Sequence, residues 1–251
     1  LELDAMTDFP FLSANVTREG ELLFQPYKIF EYYGFKVAVV GLSTPETAYK
    51  THPANVEGVS FTQPPAWALA DPRDYGSVSL AETASLVQAG VDLLRQEADM
   101  VIVLSHLGLD EESEYTSRLI AENITGIDLI IDGHSHTVLP EGLVVNGTMI
   151  AQAGQYGNNV GIVNVEVEKG TTAAITPFLY SMEEAAEIEP HPAVVAYLAE
   201  VNAEVDAFTQ QEIATLPYTL DGERARVRTR PTNLTKILTT AMMEATGADA
   251  A

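Results

Sequence analysis

The sequence predicts a layered α/β fold in which a largely parallel sheet carries helices on its flank. Three observations lead there. Residues 36–42 (KVAVVGL) and 100–104 (MVIVL) are continuous apolar runs, the pattern of strands buried on both faces. Residues 80–131 alternate helix, strand, helix, strand, and buried strands joined by a helix form a parallel βαβ unit. The first eighty residues read as β-rich, with aromatic and β-branched residues gathered at 22–33.

Each element has its own signal. Residues 9–16 (FPFLSANV) are a short apolar run, and 22–33 read as extended chain with turn residues on either side. Residues 62–79 hold three prolines and few periodic apolar positions, and are expected to be a loop. Ser79 and Glu82 form an S-x-x-E capping box. Leu86, Val87, Gly90, Val91 and Leu94 then follow at the spacing of a helical apolar stripe. A short helix is expected around 111–122, opened by Asp110, Glu111 and Glu112, since carboxylates favour the positive end of a helix dipole. Further strands are expected at 129–131, 149–151 and 160–167. Pro192 suits the first turn of a helix. Val194, Leu198, Val201, Val205 and Phe208 carry that helix to about 213. A polar stretch, 221–230, contains Arg224, Arg226, Arg228 and Arg230, and a last helix begins near Thr232.

Composition narrows the function. The 251 residues carry 13 Lys and Arg against 36 Asp and Glu, a net charge of −23. A partner of that charge does not neutralise a nucleic-acid duplex, which needs a basic stripe. Small phosphate substrates remain open, because a bound divalent cation inverts the local field. With no cysteine, thiolate metal sites are excluded and the redox compartment is not legible. No apolar run approaches the roughly 20 residues of a membrane span. The first residues resemble no signal peptide. The absence of an initiator Met suggests a piece of a longer protein.

Of the five histidines, three stand where a metal site would be built. His106 follows the strand VIVL. His134 and His136 follow the strand LII, in Asp132-Gly133-His134-Ser135-His136. In a parallel sheet both strand ends reach one edge, and ligands bind open α/β sheets there. Residues two apart in an extended segment point the same way, so His134 and His136 are expected to face one cleft. Gly133 is expected to turn the chain sharply off the strand. Imidazole suits Zn, Mn or Fe. Asp132 is a candidate partner for a histidine rather than a ligand. His52 and His191 each precede a proline and read as turn or helix-start residues.

Ser105-His106-Leu107-Gly108 and 132–136 (DGHSH) resemble the last two motifs of calcineurin-like metallophosphoesterases. The segments 9–16, 41–53 (GLSTPETAYKTHP), 55–61 (NVEGVSF) and 150–161 (IAQAGQYGNNVG) resemble bacterial 5′-nucleotidases. That group includes 2′,3′-cyclic-nucleotide phosphodiesterase/nucleotidases and UDP-sugar hydrolases. Residues 229–249 resemble the first helix of the family's separate C-terminal domain, with Thr235-Lys236 in place of the usual Gly-Asn.

The resemblance implies a calcineurin-like β-sandwich with flanking helices. Residues 1–182 would be the C-terminal portion of the metallophosphoesterase domain, 183–220 a connecting helix and linker, and 221–251 the beginning of the substrate-binding domain. It implies two divalent ions (Zn, Mn, Mg or similar) that activate water for attack on a nucleotide phosphate ester. His106 and His134 would serve one ion and His136 the other. It also implies a location that is extracellular, cell-surface or periplasmic. The family's remaining ligands come from D-x-H, G-D and G-N-H-[DE] motifs, the last of which supplies the catalytic His. No counterpart of these precedes Ser105. The chain alone is therefore expected to lack two-metal catalysis. A non-catalytic metal-binding or surface interaction module of the same fold, or a one-metal site built on three histidines and water, are the alternatives.

Overall fold

In the computed structural model, which describes residues 6–61, 80–111, 113, 115–168 and 170–250, the N-terminal part is strand-rich as expected. β1 (Val16–Arg18), β2 (Glu21–Leu22), β3 (Tyr27–Tyr32) and β4 (Phe35–Ser43) follow in turn. The short helix α1 (Thr47–Lys50), a 3₁₀ turn at Pro53–Asn55 and β5 (Val59–Phe61) come next. β1 pairs with both β2 and β5 in a small antiparallel sheet. The expected loop at 62–79 and the Ser79–Glu82 capping box lie outside the residues whose side chains are described.

α2 (Leu80–Glu97) leads into β6 (Met100–His106), α3 (Ser117–Asn123), β7 (Leu129–Ile131), β8 (Leu143–Val145) and β9 (Thr148–Ala151). These build a six-stranded sheet in the order β3-β4-β6-β7-β9-β8. β4, β6, β7 and β9 run parallel, and the edge strands β3 and β8 are antiparallel. The βαβ reading of 100–131 holds, and both apolar runs lie inside the sheet.

Alternation decides which side chains face which layer. Val101 and Val103 of β6, Ala38 and Val40 of β4 and Ile130 of β7 pack with Val87, Val91 and Leu94 of α2 and Ile120 and Ala121 of α3. Of the stripe read on α2, Val87, Gly90, Val91 and Leu94 are buried, and Leu86 lies outside the residues whose side chains are described. Met100 and Leu129 point to the other face, where β10 (Asn159–Glu168) and β11 (Thr171–Ser181) form an antiparallel hairpin and contribute Val163, Val165 and Ile175. Helices on one face and a hairpin on the other give the layered arrangement expected.

The short helix departs from expectation. It starts at Ser117, not near 111, because Thr116 accepts a hydrogen bond from the Leu119 amide and caps it there. Asp110 and Glu111 precede it in the connecting loop, so they do not occupy its positive end.

After α4 (Met182–Ala185) the chain divides into two compact units, Leu1–Ile188 and Glu189–Ala251. In the second, α5 (Pro192–Thr209) begins on Pro192 as expected and ends four residues earlier than the apolar spacing suggested. α6 (Arg224–Val227) is a single turn within the arginine-rich stretch. α7 (Asn233–Thr246) is fixed at its start by a reciprocal Thr232–Thr235 capping box. Gly247 closes it in the left-handed conformation at φ 69°. No helix among the described residues is long and apolar enough to cross a membrane.

Candidate metal centre

Parallel pairing brings the ends of β4, β6, β7 and β9 to one edge of the sheet. His106 is the last residue of β6 and lies in register with Ser43, the last of β4. β7 ends at Ile131, directly before Asp132, and β9 ends at Ala151, directly before Gln152. The end of β4 is held by Asn15, which is fully buried. Its side chain accepts from the Ser43 amide at 2.9 Å and donates to the Ser43 carbonyl at 2.7 Å.

At this edge the rings of His106 and His134 meet edge to face, with centroids 5.1 Å apart and planes at 71°. His136 goes elsewhere and lies beside the Tyr156 ring at 6.2 Å. The expectation that His134 and His136 share one direction in an extended segment is corrected. Both are left-handed, at φ 73° and 57°. Side chains of L-residues are strained there, and such strain concentrates at functional sites. Gly133 does not adopt a positive φ. Its missing side chain serves another purpose, since a Cβ there would stand 3.1 Å from His106 Nδ1. The histidines, not the glycine, make the turn.

Asp132 supports the site through the backbone. Its Oδ1 accepts from Ser105 Oγ at 2.7 Å, the Leu107 amide at 3.0 Å and the Gly108 amide at 3.2 Å. It thereby holds the chain on both sides of His106. Partial burial and then the neighbouring His134 hold the His106 imidazole below its usual pKa, with the Asp132 charge opposing them.

Two supporting residues were not singled out from sequence. Gln152, almost fully buried, accepts from the Thr137 amide at 2.5 Å and from Ser135 Oγ at 3.0 Å, and its amide reaches Asp132 Oδ2 at 3.4 Å. It braces the 132–137 loop from β9. Glu46, also buried, places Oε2 at 2.8 Å from His134 Nε2 and 2.5 Å from Lys50 Nζ. The Lys50 hydrogen bond, helped by those of His134 and Ser113, holds the Glu46 carboxyl at about 2 against the opposing effect of burial.

The remaining histidines fall where expected. His52 Nδ1 accepts from the Ala54 amide at the start of the 3₁₀ turn. His191 precedes α5 and offers its carbonyl to Val194 and Val195.

Two imidazoles bound at about 2.0–2.1 Å to one tetrahedral zinc ion place their ring centres roughly 5 Å apart. His106 and His134 match that separation. They fit as two donors to one ion. Among the described residues no group of three or more His, Cys, Asp or Glu side chains is arranged as a metal cage.

No protein-family model matches the sequence. The trifunctional nucleotide phosphoesterase YfkN of Bacillus subtilis is 29% identical over 271 residues, 96% of this chain and 17% of that protein. A 5′-nucleotidase of Vibrio cholerae is 26% identical across 96% of this chain and 48% of its own length. The chain is similar to bacterial nucleotide phosphoesterases. The chain spans about half or less of the length of these curated relatives. In three dimensions, a putative 5′-nucleotidase from Staphylococcus aureus superposes on 99% of this chain and 47% of its own, with a TM-score of 0.71 at 20% identity. The calcineurin-like phosphoesterase fold expected from the motifs is the fold found.

Proposed function

We propose that this chain is part of a metal-dependent phosphoesterase that hydrolyses nucleotide phosphate esters, of the 5′-nucleotidase or cyclic-nucleotide phosphodiesterase/nucleotidase type. The observation that carries this reading is the His106–His134 pair at the carboxyl edge of the sheet, in a chain similar along 96% of its length to a nucleotide phosphoesterase.

In this reading His106 and His134 are ligands of one divalent ion, and His136, beside Tyr156, is a ligand of a second. When bound, Zn, Mn or Mg ions supply Lewis acidity that activates water and clamps phosphoryl oxygens. The chain's own residues orient the donors. Asp132 holds the backbone around His106, and Gln152 braces the loop that carries His134 and His136. His136 is exposed and His106 is only partly covered, so both stay within reach of a small substrate.

Carboxylates that complete the ion site, and the general acid, are proposed to come from residues ahead of Leu1. Residues 221–251 are proposed to begin the domain that grips the nucleoside, with 183–220 as connector. The whole protein is proposed to work outside the cytoplasm.

Calorimetric titration of the chain with Zn²⁺ tests the ligands. Binding is expected, and a His134→Ala/His136→Ala double variant is expected to abolish it. Equal binding by both proteins removes these histidines from the site. The reaction itself is tested on AMP: the 251-residue chain is expected to be inactive, and to gain Zn²⁺- or Mn²⁺-dependent hydrolysis when the upstream segment is supplied. Turnover at full rate by the chain alone overturns the assignment of the missing groups.

A further inference from the structure

Glu46 stands at the residue before the first turn of α1, where a side chain ordinarily accepts a backbone N–H of that turn. It makes no such bond. Its carboxylate turns instead to His134, 88 positions away in the sequence. The contact is built rather than incidental. The Glu46 amide donates to Thr44 Oγ1 at 3.3 Å, and Thr44 is itself buried, so the short link from the end of β4 is fixed. Both side chains are largely withdrawn from solvent, with 9% of Glu46 and 16% of His134 exposed. Lys50, one turn along, neutralises the carboxylate at 2.5 Å.

An ionised carboxylate can only accept. The proton in the Glu46–His134 contact is therefore on the imidazole, at Nε2. In neutral imidazole the other nitrogen then carries the lone pair. We propose that Glu46 is a positioning residue for metal capture: by accepting the Nε2–H of His134, it fixes one tautomer and leaves Nδ1 as the only nitrogen available to an ion. A carboxylate on the far nitrogen of a ligating histidine also raises its basicity and locks the ring orientation. That lock matters at a residue whose backbone is already strained, at φ 73°. The inference deepens the proposed function and rests on His134 being a ligand.

The test separates the two ideas. Metal-free chain labelled with ¹⁵N and ¹³C at histidine is followed by imidazole NMR. His134 is expected to be the pure Nε2–H tautomer. Glu46→Ala is expected to give a mixture, and Glu46→Gln, whose side-chain oxygen still accepts, is expected to restore the Nε2–H form. Calorimetry with Zn²⁺ is expected to show affinity falling about 10–100-fold in Glu46→Ala and by less in Glu46→Gln. An unchanged tautomer in Glu46→Ala overturns the role of Glu46, even if His134→Ala abolishes Zn²⁺ binding. A Zn²⁺-loaded spectrum with Nε2 of His134 bound also overturns it. Undiminished Zn²⁺ binding by His134→Ala overturns the ligand reading instead, and the metal-free spectra show whether the hydrogen bond exists apart from it.

Discussion

Replacing Asp132 with Ala should destabilise the first unit by about 3–4 kcal/mol. Three donors converge on Oδ1, and two of them are backbone amides of buried residues, Leu107 and Gly108. A buried donor stripped of its partner costs about 1–3 kcal/mol. Ser105 Oγ keeps Ser117 Oγ as a partner at 3.0 Å, so it contributes little. Two amides at mid-range give about 4 kcal/mol, reduced somewhat if water enters the space left behind. Asp132→Asn keeps an acceptor in place and should cost only about 1 kcal/mol, the difference between a charged and a neutral partner. Urea unfolding followed by far-UV circular dichroism measures the totals. Hydrogen exchange at the Leu107 and Gly108 amides locates them, and both should exchange faster in the Ala variant before global unfolding begins. If Asp132→Ala unfolds within about 0.5 kcal/mol of the parent, or if Ala and Asn cost the same, the carboxylate is not what holds this turn.

Gly133→Ala should keep the fold and lose Zn²⁺ affinity, because the added methyl would stand 3.1 Å from His106 Nδ1 and push the ring aside; calorimetry beside an unchanged melting curve would verify it, and undiminished binding would refute it. Gly41→Ala should fail to fold, since its Cβ would lie 2.0 Å from the Leu12 carbonyl oxygen, backbone that cannot give way cheaply; a soluble variant with parental Tm would contradict the packing described. Glu46 carries the pH prediction. Its carboxyl is held at about 2 in the folded chain against an ordinary 4.5, so the unfolded chain binds more protons between those values and stability rises with pH there. The contribution should be fully present above about pH 4.5 and lost as pH falls toward 2; a Tm-versus-pH curve for Glu46→Gln should lack that component, and identical curves would sink the assignment.

The strands that build the edge were legible because burial on both faces leaves an unbroken apolar run. That is why β4, β6 and β7 could be read, with His106 and His134 placed at their ends. The hairpin arm β11 was not. It is half-exposed over most of its length, includes Pro177, and alternates weakly. The start of α3 was misplaced because three adjacent acids imitate the opening of a helix, whereas the cap is one threonine farther on. The left-handed turn at His134 and His136 defeated the assumption of extended chain, since few residues other than glycine adopt that conformation. Glu46 was invisible for a different reason. Its spacing to Lys50 reads as an ordinary pair on a helix surface, and nothing local points across 88 residues to His134. Gln152 stood within a quoted motif, but its purpose lies in three loop residues that only the fold brings beside it.

The bracing of the 132–137 loop by Gln152 bears on when the conformational entropy of that loop is lost. Its Oε1 accepts from Ser135 and Thr137, and its amide reaches Asp132. Every partner in this brace belongs to the chain itself, so these bonds form as part of folding. An ion taken up by a loop held in this way sheds its hydration water against little further loss of backbone entropy.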